Sequence, residues 1–239
     1  THCISSAASD VYKRQVHVRI LVDGMESWID MEGNPYFYGL SSHENVEIKL
    51  YNKANPLKPW KTMGRMHDKY LIADGKIYIL GGRNTYNYFL GDFPGHKNFD
   101  RDVLVVCDEP QKDNSVNQLW NYFETIWEQE DCRYFHNSKK LADRQSVKKA
   151  VLELQEGYQQ YFEVNKEKIC DTDYADETFE TEKITLLSNP IHTQAKEPVV
   201  WYQLGELMKN AKERVKIHTP YIICNDMMSV SYTHLTLPT

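Results

Sequence analysis

The sequence has no long apolar run. None of its 239 residues belongs to a stretch approaching the roughly 20 apolar side chains that a membrane-spanning helix needs. Mean hydropathy is −0.62, and a spanning helix is excluded for this length of chain. A basic excess is also missing. The 28 Lys and Arg stand against 34 Asp and Glu, a net charge of −6, which argues against a protein that coats nucleic acid through a cationic surface. Cysteines are few and badly spaced for a framework: Cys3, Cys107, Cys132, Cys170 and Cys224 are odd in number and include no C-x-x-C pair. Neither a zinc knuckle nor a disulfide scaffold is indicated, and buried free thiols are the plain expectation. What is present, 41% hydrophobic and 26% charged residues, is an ordinary globular composition, enough for one large α/β domain or two small ones.

The two ends read differently from the rest. Ser5 to Gln15 (SSAASDVYKRQ) and Val230 to Thr239 (VSYTHLTLPT) back-translate onto one DNA string and its reverse complement, the pattern of a transposon-based sequencing adaptor. Residues 1–15 and 230–239 are therefore expected to be adaptor-derived and are set outside fold reasoning.

Between them, Val16 to Val22 is a β-rich run ending at Asp23-Gly24, a strand followed by a turn. Pro35 is placed to open a short helix, and Val46 to Tyr51 alternates with the period of a strand. Pro56 and Pro59 make Asn52 to Gly64 a surface loop. Met66 to Leu80 contains two β-rich runs around Ala73-Asp74-Gly75-Lys76, which predicts a hairpin. Val103 to Cys107 is apolar throughout and reads as a strand buried on both faces. Ser115 is placed to cap a helix whose apolar stripe is Val116, Leu119, Trp120, Phe123 and Trp127. A second helix is expected over Lys140 to Phe162, then an acidic loop over Asp171 to Glu182. Ile184 to Leu187 reads as a strand, and Val200 to Arg214 as an amphipathic helix. Mixed strands and helices of this kind indicate a layered α/β architecture.

The chemistry concentrates in one place. His67-Asp68-Lys69-Tyr70-Leu71-Ile72-Ala73-Asp74 fits H-x-K-x4-D, and Gly81-Gly82-Arg83-Asn84 follows. On a strand, residues i and i+2 share a face, so an imidazole and an ammonium would stand side by side. Imidazole is largely neutral and nucleophilic near pH 7, and a neighbouring cation stabilises charge on a phosphoryl oxygen. Gly81 and Gly82 let backbone approach a ligand closely, and Asn84 adds an amide donor. No carboxylate or histidine cluster of the two-metal nuclease type accompanies these residues. Asp74 is either a chemical group or simply the builder of an Asp-Gly turn. His218 is followed at the decisive position by Pro220 and is not a second motif. His17, His43, His96, His136 and His192 read as ordinary surface or core residues.

The motif resembles the phospholipase D superfamily signature, H-x-K-x4-D-x6-G-G-x-N. Asn45-Val46-Glu47-Ile48, Leu50-Tyr51-Asn52, Arg65-Met66-His67, Tyr88-Phe89 and Asp100-Arg101-Asp102-Val103 are similar to the cardiolipin synthase-like subgroup. The resemblance implies a layered phospholipase D-like α/β/α sandwich, with a first catalytic half over 16–188 and a truncated second half beginning over 189–229. A faint echo of Val18–Asp23 in Val215–Pro220 agrees with that division. It further implies His67 and Lys69 as catalytic groups together with Asp74, and Asn84 and Gly82 as binders of the substrate phosphate. Asp102, or else Asp100, would orient His67, although both also read as plain strand-edge residues. No metal and no cofactor are implied. The implied partners are a phospholipid substrate, an anionic membrane surface at the cytoplasmic face, and the second half of the chain, with no nucleic acid. Two alternatives stay open: a superfamily nuclease or phosphodiesterase dimer of single-motif chains, and a non-catalytic paralogue. Local charge supports an anionic substrate, since Lys58 to Arg101 holds eight basic and four acidic residues. The interleaved Trp60, Tyr86, Tyr88, Phe89, Phe93 and Phe99 suit either a lipid interface or a core.

Overall fold

The computed structural model describes residues 16–85, 89, 95, 99–107, 113–136, 138–170, 173, 176–192, 197–219 and 229. His96, Tyr86, Tyr88, Phe93, the expected strand Tyr221–Cys224 and both adaptor-like ends lie outside them. The chain divides into two compact units, Thr1–Leu186 and Leu187–Thr239. The first contains β1 (Val18–Asp23), α1 (Gly24–Asp30), α2 (Pro35–Ser41), β2 (Val46–Tyr51), a 3₁₀ turn (Pro59–Met63), β3 (Tyr70–Ala73), β4 (Ile77–Gly81) and β5 (Asp102–Val106). It continues through α3 (Ser115–Trp127), β6 (Cys132–Tyr134), α4 (Lys139–Ala142) and α5 (Gln145–Cys170). The second contains α6 (Val199–Lys209).

The strands form two three-stranded sheets, ordered β1-β2-β6 and β3-β4-β5. β1 and β2 are parallel, with Val18 opposite Val46 and Asp23 opposite Tyr51. A parallel pair needs a crossover, which α1 and α2 supply. Helix α2 begins where the sequence dictates: Asn34 accepts from the Tyr36 amide at 3.1 Å, and Pro35 occupies the first helical position. The alternating pattern of β2 puts Val46, Ile48 and Leu50 on one buried face, packed with Met31, Tyr38, Leu40, Phe135 and Val147. Across the sheet, Arg19 is bonded to Glu124 of α3 at 2.8 Å and stacks on Phe123 and Trp127. Lys49 donates to the Trp127 carbonyl at 2.9 Å. Helices therefore cover both faces, an α/β/α arrangement. Sheet β3-β4-β5 is antiparallel and lays Tyr78 and Val105 against Val116 and Leu119 of α3.

Several expectations are corrected. The cap of α3 is Asn114, which accepts from the Asn117 amide at 2.8 Å; Ser115 lies inside the helix, buried, and accepts from the Tyr78 hydroxyl at 3.2 Å. Strand β5 is not buried on both faces: it is the last strand of its sheet, and Val103 is exposed. The helix expected over Lys140 to Phe162 is two helices, α4 and α5. Ile184 to Leu187 is irregular rather than a strand, and so is Val215 to Ile217. The helix expected over Val200 to Arg214 is α6, which ends at Lys209 and leaves Ala211 outside it, and none of its residues is buried. The sequence reading passed over α1 and the short β6, whose three residues leave too little pattern to recognise.

Candidate functional site

The site is built from the end of β1 outward. Asp23 closes that strand and is buried. Its carboxylate accepts from the Met25 amide at 3.0 Å, from Arg65 Nε at 2.8 Å and from the Met66 amide at 3.0 Å. Arg65 Nη2 also reaches it at 2.7 Å. Burial pushes the Asp23 carboxyl up, but Arg65 and the two amides outweigh it and hold it below its ordinary range. The outcome is a latch that fixes Arg65 and Met66, the residues leading directly into His67.

His67, Asp68 and Lys69 precede β3 rather than lying within it, since the strand starts at Tyr70. The ladder nevertheless reaches one residue further, through the Gly81 amide donating to the Lys69 carbonyl at 3.2 Å. Asp68 is held from α3, where the Tyr122 hydroxyl donates to its carboxylate at 2.7 Å. The motif is thus clamped at Asp23, Tyr122 and Gly81, while the His67 side stays exposed. Lys69 is half-buried and turns its ammonium back onto the His67 carbonyl at 2.7 Å. Burial lowers the Lys69 pKa, and Asp68 and Asp100 pull it back up. This replaces the simple picture of two side chains projecting in parallel from a strand.

Beneath the motif lies a group of tyrosines. Burial, reinforced by Asp68, pushes the Tyr70 and Tyr122 hydroxyls up, so both remain protonated donors. The Tyr51 hydroxyl is buried without a hydrogen-bond partner among the described residues, and burial pushes it up to about 12.

The two glycines serve the protein's own packing. A Cβ at Gly81 would overlap Asp102 Oδ1 and come within 3.0 Å of the Arg101 carbonyl. One at Gly82 would meet Asp100 Oδ2 at 2.7 Å. Arg83 closes this region, with Nε on Asp102 at 2.7 Å, Nη1 on the Phe89 carbonyl at 3.0 Å and Nη2 on the Asp100 carbonyl at 3.0 Å. Asp102, expected to orient His67, therefore has Arg83 as its partner among the described residues. Asn84 follows, half-buried. Asp74 is remote from this group. It sits at the hairpin tip with φ 52° beside Gly75 at 65°, and the Lys76 amide closes the turn on the Ala73 carbonyl at 3.0 Å. Positive φ at both central residues is the requirement of the type I′ hairpin turn.

The structure joins Lys69 to Gly81 through one ladder bond and leaves Asp74 at the far end of β3. Sequence reasoning missed Asp23, Asp68, Tyr122 and Arg83. The available signals were an acidic residue ending an apolar strand and a lone arginine before the motif. No group of three or more His, Cys, Asp or Glu suited to a metal ion occurs among the described residues. No described helix is long and apolar enough to cross a membrane.

An uncharacterized protein of Helicobacter pylori strain 26695 is 25% identical over 238 residues, covering 88% of this chain and 44% of that protein. A second uncharacterized protein, from strain J99, is 31% identical over 127 residues, covering 47% of this chain and 24% of that protein. The chain thus spans less than half the length of the curated relatives it matches. No solved structure matches it. The family described as cardiolipin synthase, PLD-like domain, matches residues 3–127, more than half of the chain and the whole of the clamped motif. The chain belongs to that family.

Proposed function

We propose that this chain carries the first half of a phosphatidyltransferase or phospholipase D that cleaves phospholipid phosphodiesters through a phospho-histidine intermediate, most closely a cardiolipin synthase-like enzyme. One observation carries the reading: an exposed imidazole at His67 stands on a segment clamped from three sides, with the Lys69 ammonium folded onto the His67 carbonyl. Preorganised charge of this kind is what a phosphoryl transition state needs. A ring nitrogen of His67 forms the bond to phosphorus, and the P–O bond to the leaving alcohol breaks. A general acid gives that alcohol its proton, and the same group then removes a proton from the acceptor. The acceptor oxygen attacks phosphorus and frees His67. Water as acceptor gives hydrolysis; a phosphatidylglycerol hydroxyl gives cardiolipin.

Lys69 holds a non-bridging oxygen, with Asn84 and the Gly82 backbone as further phosphate donors. The general acid is a second histidine, from a second motif-bearing half. Support for such a half comes from the sheet itself. Lys69 and Leu71 share a face, and on that face Leu71 and Ile79 are exposed, an apolar surface that suits a covering element.

The test removes the need for that second histidine. A phosphodiester with a nitrophenolate leaving group departs without protonation, so the 239-residue chain alone should form the adduct. Digestion after incubation and mass spectrometry should find phosphorus on the peptide containing His67, and none in His67→Asn. An adduct confined to another residue would overturn the assignment. A diester with an alkyl leaving group, which does need a proton, should be cleaved far more slowly by the same chain.

A further inference from the structure

The segment between β2 and the motif carries a feature that the reaction does not use. Three successive i to i+3 bonds run through it: the Lys58 amide to the Asn55 carbonyl at 2.9 Å, Lys61 to Lys58 at 3.0 Å, and Gly64 to Lys61 at 3.1 Å. With three residues per turn, side chains at i and i+3 eclipse. Trp60 and Met63, both within the 3₁₀ turn Pro59–Met63, therefore line up; Leu57 belongs to the turn just before it, and the three are 71%, 86% and 83% exposed. Lys58 stands at the entry of this turn and Lys61 within it. From Asn52 to Arg65 the chain has three Lys, one Arg and no acidic residue, although the protein as a whole is acidic.

This patch is fastened to its surroundings. Asn52, at φ 49°, donates its amide to the Lys61 carbonyl at 2.6 Å and to the Gly64 carbonyl at 2.9 Å. Lys61 is pinned to Asp131 at 3.1 Å. The chain then passes directly into Arg65, which is locked on Asp23. Lys53 is paired with Glu32, which leaves Lys58 beside the exposed apolar side chains, and such a patch on a fixed mount fits a lipid headgroup boundary better than bulk water. Tryptophan favours the headgroup level of a bilayer, long lysine stems keep their charge at the polar level while their methylenes lie along apolar surface, and basic clusters are drawn to anionic lipid.

We propose that Leu57, Trp60 and Met63 form a membrane-docking patch that inserts at the headgroup boundary of an anionic phospholipid bilayer, with Lys58 on its phosphates. The choice of a lipid occupant rests on the phospholipid reading of the His67 site. Docking would place the motif, four residues beyond Met63, beside the surface from which its substrate comes.

The test sediments the 239-residue chain with phosphatidylcholine vesicles, with and without phosphatidylglycerol. The chain should pellet with the anionic vesicles and far less with neutral ones. The triple variant Leu57→Ser, Trp60→Ser, Met63→Ser should partition roughly tenfold more weakly, and Lys58→Glu should weaken binding to the anionic vesicles alone. Brominated acyl chains should quench an emission component present in the parent and absent in Trp60→Phe. A triple variant that unfolds at the parent's temperature yet pellets equally well would overturn the proposal. So would a parent that binds neither vesicle, which would leave a protein partner as the occupant. Adduct formation at His67 with the soluble nitrophenyl diester serves as the separate readout: if it fails while patch-dependent pelleting holds, the docking stands and the reaction falls.

Discussion

The two sheets of the first unit are built alike, three strands each, and are covered differently. Sheet β1-β2-β6 has α2 and α5 on one face and the Arg19–Glu124 contact to α3 on the other. Sheet β3-β4-β5 lays one face on α3 and leaves Leu71 and Ile79 of the other face in water. The first is a load-carrying frame in the thermodynamic sense, since buried apolar area is the dominant favourable term in folding. The second leaves the side that follows from Lys69 uncovered, as the proposed reaction requires. Asp23 joins the two. It ends a strand of the covered sheet and holds the segment that enters the open one, so rigidity made in the frame is passed to His67.

That contrast is broken most directly at the motif. Replacing His67 with Asn should lower the rate of adduct formation from the nitrophenyl diester by roughly 10³-fold or more, as loss of a covalent nucleophile does. Because the side chain is exposed, the unfolding free energy from urea titration should change by no more than the roughly 0.5 kcal/mol typical of surface changes. A variant that loses activity only by unfolding would place His67 in the frame instead.

A matched pair measures the two sheets against each other. Leu50→Ala removes a side chain that is 2% exposed and should cost about 2–5 kcal/mol through lost transfer and the cavity left behind. Leu71→Ala, at 60% exposed, should cost roughly 0.5 kcal/mol or less. Equal losses in denaturant titrations would mean that the open face is covered in solution, most simply by a second molecule, and a mass measurement would then find a dimer.

The latch comes next in size. Asp23→Asn keeps the shape and removes the charge, leaving Arg65 without its counter-ion. Arg65 is 35% exposed at its side chain, so water offsets part of the loss, and about 1–3 kcal/mol is expected. The pH dependence has a definite sign. The Asp23 carboxyl is held below its ordinary 3.8, so its contribution is complete above that value and is lost as pH falls through the lower, folded value. Urea midpoints of parent and variant should differ by a constant amount at neutral pH and converge below pH 3.8. A gap that persists into strong acid would show that the side chain acts through packing alone.

Much of this was legible in the sequence because local rules and tertiary context agreed. Pro35 behind Asn34 starts a helix anywhere, the alternation of Val46 to Tyr51 has one buried face, and Asp74-Gly75 forces a hairpin turn. The motif marked the candidate site, whose leading residues the structure holds at Asp23, Tyr122 and Gly81. What stayed hidden depends on distant partners. Asp23 gains its role only when Arg65, forty-two residues away, folds back on it, and Asp68 only when Tyr122 arrives from α3. Val103 to Cys107 misled because an apolar run states that a strand is sticky and not which of its faces is covered. Ile184 to Leu187 has β-rich composition, yet it stays irregular, with Leu186 packed on the Tyr78 and Val105 cluster rather than in a ladder.

The smallest effect is expected at Asp74, and it separates signature from chemistry. The residue completes H-x-K-x4-D, yet five residues of extended chain separate it from Lys69, about 16 Å at roughly 3.3 Å per residue. It cannot share a phosphate with Lys69 across that span in the conformation seen. Its backbone explains its identity better. Residue 74 adopts φ 52°, a left-handed conformation that Asn and Asp tolerate and β-branched residues do not. Asp74→Asn should therefore leave both adduct formation and stability unchanged within error. Asp74→Ala should cost under about 1 kcal/mol, a mild local penalty in a left-handed turn. Asp74→Val should cost more than either, through the turn and not through the reaction. If Asp74→Asn instead abolished the His67 adduct at unchanged stability, the carboxylate would be part of the chemistry, and the open sheet would be working from both of its ends.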